Sequence, residues 1–147
     1  MDKADSSSRL NWEGGHGFEL RTPQATGRIE SGGDRTGVSP MEGLLSSVAG
    51  CMAMDVVDIL AKMRRTLTAY QVDCQGWRRV EHPRAYTRLR FVHRLTGPDL
   101  DQASADRAVH LSATRYCSAS ASLDPAIEIE NVVEVLTGST GHRPERP

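Results

Sequence analysis

The residues of this chain best suited to redox chemistry are its three cysteines, Cys51, Cys74 and Cys117. Cys51 and Cys117 each lie in a run of small residues, so the segments that carry them could pack closely and bring the two thiols within disulfide reach. Such a pair could be oxidised to a disulfide and reduced again. The same pattern also suits two small, buried hydrophobic side chains, which free cysteines often are. Cys74 lies in an alternating, strand-like segment and is expected to be structural.

The other residues that could bind a metal or catalyse acid–base reactions form no recognised motif. The chain has five histidines: His16, His82, His93, His110 and His142. None has metal-ligand spacing to another histidine or to a cysteine, and His93 alternates with apolar residues, which predicts a buried core histidine. The sequence also lacks a phosphate-binding loop, paired catalytic carboxylates and a Gly-x-Ser-x-Gly motif. We therefore expect neither a metal nor a cofactor.

Length and composition limit the class of protein. The chain has 147 residues, of which 38% are hydrophobic and 25% charged, and its net charge is −1. This length suits a single domain, which we place at residues 1–136, followed by a flexible C-terminal tail at 137–147. The charge balance excludes a basic nucleic-acid scaffold and an ordinary disordered chain. We predict no membrane-spanning segment and no secretory signal, and therefore a cytoplasmic protein whose thiols stay reduced unless chemistry uses them.

The strongest structural signal is a long helix from about Pro40 to Arg65, which carries Cys51. Ser39 and Glu42 form a capping box at its start, and apolar residues then recur at helical spacing. Four further segments are predicted: a meander of short strands from Arg9 to Ile29, a hairpin of Tyr70–Arg79 and Ala85–Leu95, a second helix from the N-cap Asp101 toward Cys117, and a last strand of Ile127–Val135. This order predicts an α+β fold in which helices pack on an antiparallel sheet.

Two stretches of the sequence together resemble the OsmC/Ohr superfamily of osmotically induced and organic-hydroperoxide-resistance proteins. The first is Ser39-Pro40-Met41-Glu42-Gly43-Leu44-Leu45, followed by Val48-Ala49-Gly50-Cys51-Met52-Ala53-Met54-Asp55. The second is Arg107-Ala108-Val109-His110-Leu111-Ser112, which runs into Tyr116-Cys117-Ser118 and Ser122-Leu123. The spacing of the two cysteines and the hairpin between them also fit, so the resemblance covers roughly Gly32 to Val135.

This resemblance implies a fold, an assembly and an activity. The fold would have antiparallel sheets, a long central helix that bears Cys51 and a second helix, in an intertwined homodimer with its two sites at the subunit interface. The activity would be that of an antioxidant thiol peroxidase acting on organic hydroperoxides in a stress response. Cys51 would be the peroxidatic nucleophile and Cys117 the resolving thiol, and a dithiol reductant would restore the enzyme.

The resemblance also implies an arginine, oriented by a glutamate, that lowers the pKa of the first thiol. Arg21, Arg28 and Arg35 precede the long helix and compete for this role; Arg28 is favoured because it lies in a strand-like stretch. The peroxidase branches place the glutamate ten residues before the first cysteine. Here Met41 holds that position and Glu42 follows it, so Glu42 is the candidate.

One further departure and two alternative functions follow from the same comparison. Ser118 follows the second cysteine where the peroxidase branches usually have proline, so the chain lies nearer a less characterised branch. The first alternative is a non-catalytic binding protein with an apolar pocket at the dimer interface, lined by the cysteines. The second is a redox sensor, which would share the thiol chemistry but need a partner that reads the disulfide.

Overall fold

The computed structural model describes residues 2–136, and the tail predicted at 137–147 lies outside the described residues. Contacts between residues divide the chain into two compact units, with the boundary between Ser46 and Ser47.

The first unit contains a three-stranded antiparallel sheet in sequence order, which confirms the predicted meander. Its strands are β1 (Arg9–Trp12), β2 (Gly17–Arg21) and β3 (Thr26–Glu30). Gly14 and Gly15, in the turn between β1 and β2, both have positive φ angles, which glycine adopts without steric cost.

Helix α1 (Pro40–Lys62) begins in the first unit and continues into the second. The predicted capping box is present: Glu42 N–H donates to Ser39 Oγ over 3.2 Å, and Ser39 N–H donates to Glu42 Oε2 over 3.1 Å. The helix ends three residues earlier than predicted, because Arg64 turns into the left-handed region with φ 58°. Arg65 N–H then donates to Leu60 O and Arg64 N–H to Ala61 O, which is a Schellman motif.

Helix α1 also corrects the prediction that no segment could cross a membrane. Its length and mean hydropathy of 1.7 are sufficient for a span by composition alone, because the helix is rich in Ala, Val, Leu and Met and poor in charge. Core helices of globular proteins meet the same criterion. Helix α1 has four side chains that are fully buried: Val48, Met52, Val56 and Leu60.

The second unit is built on a three-stranded sheet of β4 (Ala69–Arg78), β5 (Tyr86–Thr96) and β6 (Glu128–Leu136). The predicted hairpin of β4 and β5 is antiparallel, as expected. Strand β6 pairs with β5 in parallel, so this sheet is mixed, not wholly antiparallel as predicted. The reason is the connection: a helical crossover leads from the end of β5 back to its start, which is how parallel neighbours are joined.

The crossover contains α2 (Gln102–Leu111), a single π-helical turn at Ser112–Tyr116, and the short helix α3 (Ser118–Ala121). Asp101 is the N-cap of α2, as predicted, and accepts a hydrogen bond of 2.6 Å from Ser104 N–H. The predicted second helix is therefore interrupted before it reaches Cys117.

Apolar side chains from α1, α2 and the sheet form the core of the second unit. Its buried members are Val56, Leu60, Leu95, Leu100, Ala105, Ala108 and Val109. The side chain of Gln102 meets the sheet from α2: its Nε2 donates to Val133 O over 2.9 Å, and its Oε1 accepts from Val135 N–H at 3.3 Å.

Candidate active site

The second unit brings Cys51 and Cys117 together. Cys51 is half-buried in the middle of α1, whereas Cys117 is 4% exposed and caps the start of α3. The two side chains are close enough for Cys51 to affect the electrostatics of Cys117, and both are free thiols. The close approach of the two cysteine segments that the small-residue runs predict is present, since Cys117 Sγ lies 3.9 Å from Val48 O of α1.

The surroundings of Cys117 favour its protonated form. Its Sγ accepts a hydrogen bond from Ser120 N–H at 3.4 Å and lies 3.9 Å from Val48 O. Burial raises the pKa of the Cys117 thiol above its ordinary value and the neighbouring Cys51 raises it further, while Ser120 acts in the opposite direction. An ordinary cysteine thiol is already mostly protonated at neutral pH, and the raised pKa of Cys117 favours its protonated form further.

Cys74 lies elsewhere in the second unit, on β4 opposite Phe91 of β5. Its Sγ is 3.7 Å from Val72 O. Burial, and then the charge of Asp73, raise the pKa of the Cys74 thiol. These surroundings fit the structural role expected from the sequence.

A hydrogen-bonded link joins the segment that carries Cys117 to the helix that carries Cys51. Ser112 is fully buried, and its hydroxyl donates to Asp55 Oδ2 over 2.8 Å and lies 3.3 Å from Met52 O. The carbonyl oxygen of Ser112 accepts the backbone N–H of Cys117 at 2.9 Å, which closes the π-helical turn.

The two other predicted site residues, Arg28 and Glu42, lie in the first unit and do not pair with each other. Arg28 binds Glu30 through two hydrogen bonds, Nε to Oε2 at 3.1 Å and Nη2 to Oε1 at 3.2 Å, and also pairs with Glu13. Arg28 and then the Thr36 N–H hold the pKa of the Glu30 carboxyl at about 2. Glu42 pairs instead with Arg35.

His93 is buried in the second unit, as the sequence predicts for a core histidine. Its Nδ1 is 2.7 Å from the Tyr70 hydroxyl and its Nε2 is 2.9 Å from Asn131 Oδ1. Because an amide oxygen can only accept, Nε2 carries the proton and Nδ1 accepts from Tyr70. Between residues 2 and 136, no group of three or more His, Cys, Asp or Glu side chains is arranged to hold a metal ion.

A groove of about 420 Å³ lies beside the link between Asp55 and Ser112. Its lining is mixed, with apolar and charged members: Ile59, Met63, Leu111, Tyr116, Asp55, Asp58 and Lys62. Neither Cys51 nor Cys117 lines this groove, so it differs from the apolar pocket at the dimer interface that the binding-protein alternative predicts.

Comparison with known proteins identifies the family. A family model described as OsmC-like protein matches residues 32–131. The chain belongs to the OsmC-like family. Its resemblance to the OsmC/Ohr superfamily and its α+β fold are thereby confirmed.

Individual relatives agree with this OsmC-like assignment. Protein YhfA of Escherichia coli K12 is 42% identical over 98 residues, which are 67% of this chain and 73% of YhfA. A hypothetical protein from Aquifex aeolicus VF5 has a similar structure, with a TM-score of 0.84 and 26% identity over 93% of this chain and 100% of that one. The organic hydroperoxide resistance protein OhrB of Bacillus subtilis shares the fold, with a TM-score of 0.62 and 12% identity over 89% and 100% of the two chains.

In this OsmC-like chain, sequence reasoning missed three polar residues that the structure places beside a candidate site residue. Ser112 and Asp55 link the two cysteine segments, and Glu30 orients Arg28. The first pair had a usable signal, because a serine on the apolar stripe of α2 needs a partner and Asp55 lies one helical turn after Cys51. Glu30 had one too, since residues two apart on a strand share a face.

Proposed function

We propose that this chain is a thiol-dependent hydroperoxide reductase in which Cys51 is the peroxidatic thiol and Cys117 the resolving thiol. The Cys51 thiolate attacks one oxygen of an organic hydroperoxide and the O–O bond breaks, which gives Cys51 sulfenic acid and an alkoxide. The alkoxide takes one proton from water and leaves as an alcohol. The Cys117 sulfur then attacks the Cys51 sulfur. Water leaves with the sulfenic hydroxyl and the Cys117 proton, and a disulfide remains. A dithiol reductant supplies the two electrons that restore both thiols.

The observation that carries this proposal is a half-buried Cys51 thiol in contact with a buried Cys117 thiol. The more accessible sulfur can meet a hydroperoxide, whereas the buried one is shielded from it and is already beside the sulfenic acid that it must attack. A resolving thiol needs this position more than it needs a low pKa, because the departing hydroxide accepts its proton.

The family supports the substrate class. The name of OhrB states resistance to organic hydroperoxides, and that protein shares the fold of this chain. The name of YhfA states no activity, so the choice of an organic hydroperoxide rests on the family and not on the more similar sequence.

The proposal also includes a cation that stabilises the Cys51 thiolate. Cys51 lies in the middle of α1, where the helix dipole contributes little, so a side chain must supply the positive charge. Arg28 is our candidate, oriented by Glu30. Glu42, predicted for that orienting role, is assigned instead to the cap of α1.

We place the protein in the cytoplasm, where thiols are kept reduced, as a homodimer. Exposed apolar side chains near the thiol pair support a second copy as partner. Met54, one turn from Cys51 on α1, is 72% exposed, and Tyr116, next to Cys117, is 56% exposed. Large exposed apolar surfaces are typical of protein interfaces.

The test is a thiol count during titration of the reduced protein with cumene hydroperoxide. We expect two thiols to disappear per chain and a Cys51–Cys117 disulfide to form. Cys51→Ser should abolish the reaction, whereas Cys117→Ser should lose one thiol and accumulate a sulfenic acid that dimedone traps. Cys74→Ser is the matched control and should still lose two. Oxidation of Cys51 no faster than that of free cysteine would overturn the proposal.

A further inference from the structure

The link between Ser112 and Asp55 is the shortest described polar connection between the two cysteine segments. On one side it reaches α1 at Asp55 and Met52, which lie four residues and one residue after Cys51. On the other side it is the same residue, Ser112, whose carbonyl oxygen holds the N–H of Cys117. Beside the 3.9 Å approach of its own Sγ to Val48 O, Cys117 is thus tied to the helix of Cys51 through the buried residue Ser112.

The π-helical turn explains why one residue can do both. The bond from Cys117 N–H to Ser112 O spans five residues and closes the turn. The Ser112 carbonyl oxygen binds the backbone of Cys117 at the end of the π-turn. The Ser112 side chain still points toward α1, where its hydroxyl binds Asp55. Single π-turns inside helices are frequent at functional sites.

Burial makes this link costly to break. A hydroxyl with no access to water must find a partner in the protein, and Ser112 finds it in a carboxylate. Hydrogen bonds to charged groups are about twice as strong as those between neutral groups. Movement of the π-turn away from α1 would leave the hydroxyl unpaired, so the link resists any increase in the separation of the two thiols.

We propose that Ser112 and Asp55 are positioning residues that hold the Cys117 segment against α1 and thereby favour the Cys51–Cys117 disulfide over the dithiol. The inference rests on the thiol pair of the proposed function, but it concerns the equilibrium of the disulfide and not the reaction with a hydroperoxide. The groups act through Cys117 and touch no substrate.

The test measures the disulfide equilibrium of the full-length protein in buffers of reduced and oxidised glutathione, with no peroxide present. In this exchange one oxidised glutathione takes two electrons from the thiol pair and leaves as two reduced glutathiones. We expect Ser112→Ala to lower the equilibrium constant for the disulfide about tenfold, which equals about 30 mV in potential for a two-electron couple. Asp55→Ala should do the same, and the isosteric Asp55→Asn, which keeps an acceptor oxygen, should recover most of the loss.

Two controls separate positioning from a general loss of stability. Thr114→Ala alters a hydroxyl in the same π-turn whose one bond among residues 2–136 is to His110 O, at 2.7 Å, and should leave the potential unchanged. The double variant Ser112→Ala with Asp55→Ala should shift the potential no further than the larger single change, because both remove one bond. Coupling between the link and the disulfide is reciprocal: if the link stabilises the disulfide, the disulfide also strengthens the link. Relative to the wild type, Ser112→Ala should therefore lower the melting temperature of the oxidised form more than that of the reduced form.

The possible outcomes are distinct. A wild-type potential retained in Ser112→Ala, or equal losses of melting temperature in both redox forms, overturns the positioning role and leaves the proposed function intact. Failure of the wild-type protein to form a Cys51–Cys117 disulfide at any glutathione ratio overturns both. Additive shifts in the double variant would show that the two residues act separately, contrary to the inference.

Discussion

Cys51 and Cys117 differ in burial, and that difference gives them different susceptibilities to oxidation. In the proposed reaction a peroxide molecule in solution reaches Cys51 first, because Cys117 is 4% exposed. Further oxidation to sulfinic acid requires a second peroxide to arrive at Cys51 before Cys117 attacks. The contact between the two thiols shortens the time available for that second encounter.

In the proposed function Arg28 supplies the positive charge that favours reaction of the Cys51 sulfur, because a guanidinium can stabilise a thiolate. Arg28→Met should therefore slow alkylation of Cys51 by iodoacetamide at pH 7, measured by mass spectrometry of the Cys51 peptide. Arg21→Met is the control, because it removes the same charge from the neighbouring strand, where the Arg21 side chain is more exposed than that of Arg28. An equal rate in Arg28→Met and the wild type, or slowing by Arg21→Met alone, would contradict the choice of Arg28.

Buried His93 makes stability depend on pH. Burial lowers the pKa of His93 in the folded protein, with a smaller opposing effect from Asn131. As pH falls through about 6.5, the unfolded chain takes up a proton that the folded chain still excludes. The contribution of His93 is therefore complete above that pH, declines below it, and is fully lost once pH falls below the lowered folded pKa.

Urea unfolding at pH 7.5 and 5.5 measures this effect. The free energy of unfolding should be lower at pH 5.5, and His93→Gln should reduce the difference between the two pH values even though it destabilises the protein at both. His110→Gln is the control, because His110 is exposed on α2. An unchanged difference in His93→Gln would assign the dependence to other groups.

At the scale of elements, the C-terminal end of α1 contains a strained non-glycine residue, Arg64. Arg64 adopts φ 58° in the Schellman motif, and the left-handed region costs a non-glycine residue about 1–2 kcal/mol. Arg64→Gly should remove most of this strain. We expect a gain of about 0.5–1 kcal/mol in the free energy of unfolding, because glycine is also freer in the unfolded chain.

Thermal unfolding at one protein concentration is the measurement, and Arg64→Ala is the control. Alanine removes the same charge and side chain but keeps the strained conformation, so it should not raise the melting temperature. A similar increase in both variants would trace the gain to the side chain and not to the backbone.

The elements also show what the sequence could and could not predict. The capping box at Ser39 and the alternation in the hairpin are local patterns, and they predicted α1 and the β4–β5 pair correctly. The parallel pairing of β6 and the π-turn at Ser112–Tyr116 are set by contacts with other parts of the chain. The residues of that turn suit an ordinary helix equally well, so the interruption before Cys117 leaves no local signal.

The candidate site divides in the same way. Residue type and a family pattern predicted Cys51 and Cys117 as site residues, and the structure places both in the second unit. The pairing of Arg28 with Glu30, in place of Glu42, depends on two side chains sharing one face of β3. The sequence places Ser112 in line with the apolar residues of the second helix. The bond of its hydroxyl to Asp55 depends on the packing of that segment against α1, which no local pattern predicts.

At the scale of the whole molecule, the exposed apolar residues of α1 predict self-association. Only 28% of the most apolar 18-residue stretch of α1 is buried within this chain. Met54 is one of the exposed apolar side chains of this helix. We expect a dimer in sedimentation equilibrium, and Met54→Lys should raise its dissociation constant at least tenfold, since an interface core excludes charge.

Val80→Lys provides a matched control for this experiment. Val80 is 88% exposed and lies in the turn after β4, so it offers an exposed apolar side chain on a different part of the second unit. A monomeric wild type, or equal weakening by both variants, would contradict an interface at Met54.

The side-chain amide of Gln102 has a consequence for solubility. Its two ends occupy the carbonyl of Val133 and the N–H of Val135, which are backbone groups that another strand would need in order to pair with β6. An unpaired strand is a template for aggregation, and proteins commonly block it. Gln102 occupies one such position from within the same chain, so we expect it to disfavour the pairing of β6 with a strand of another molecule.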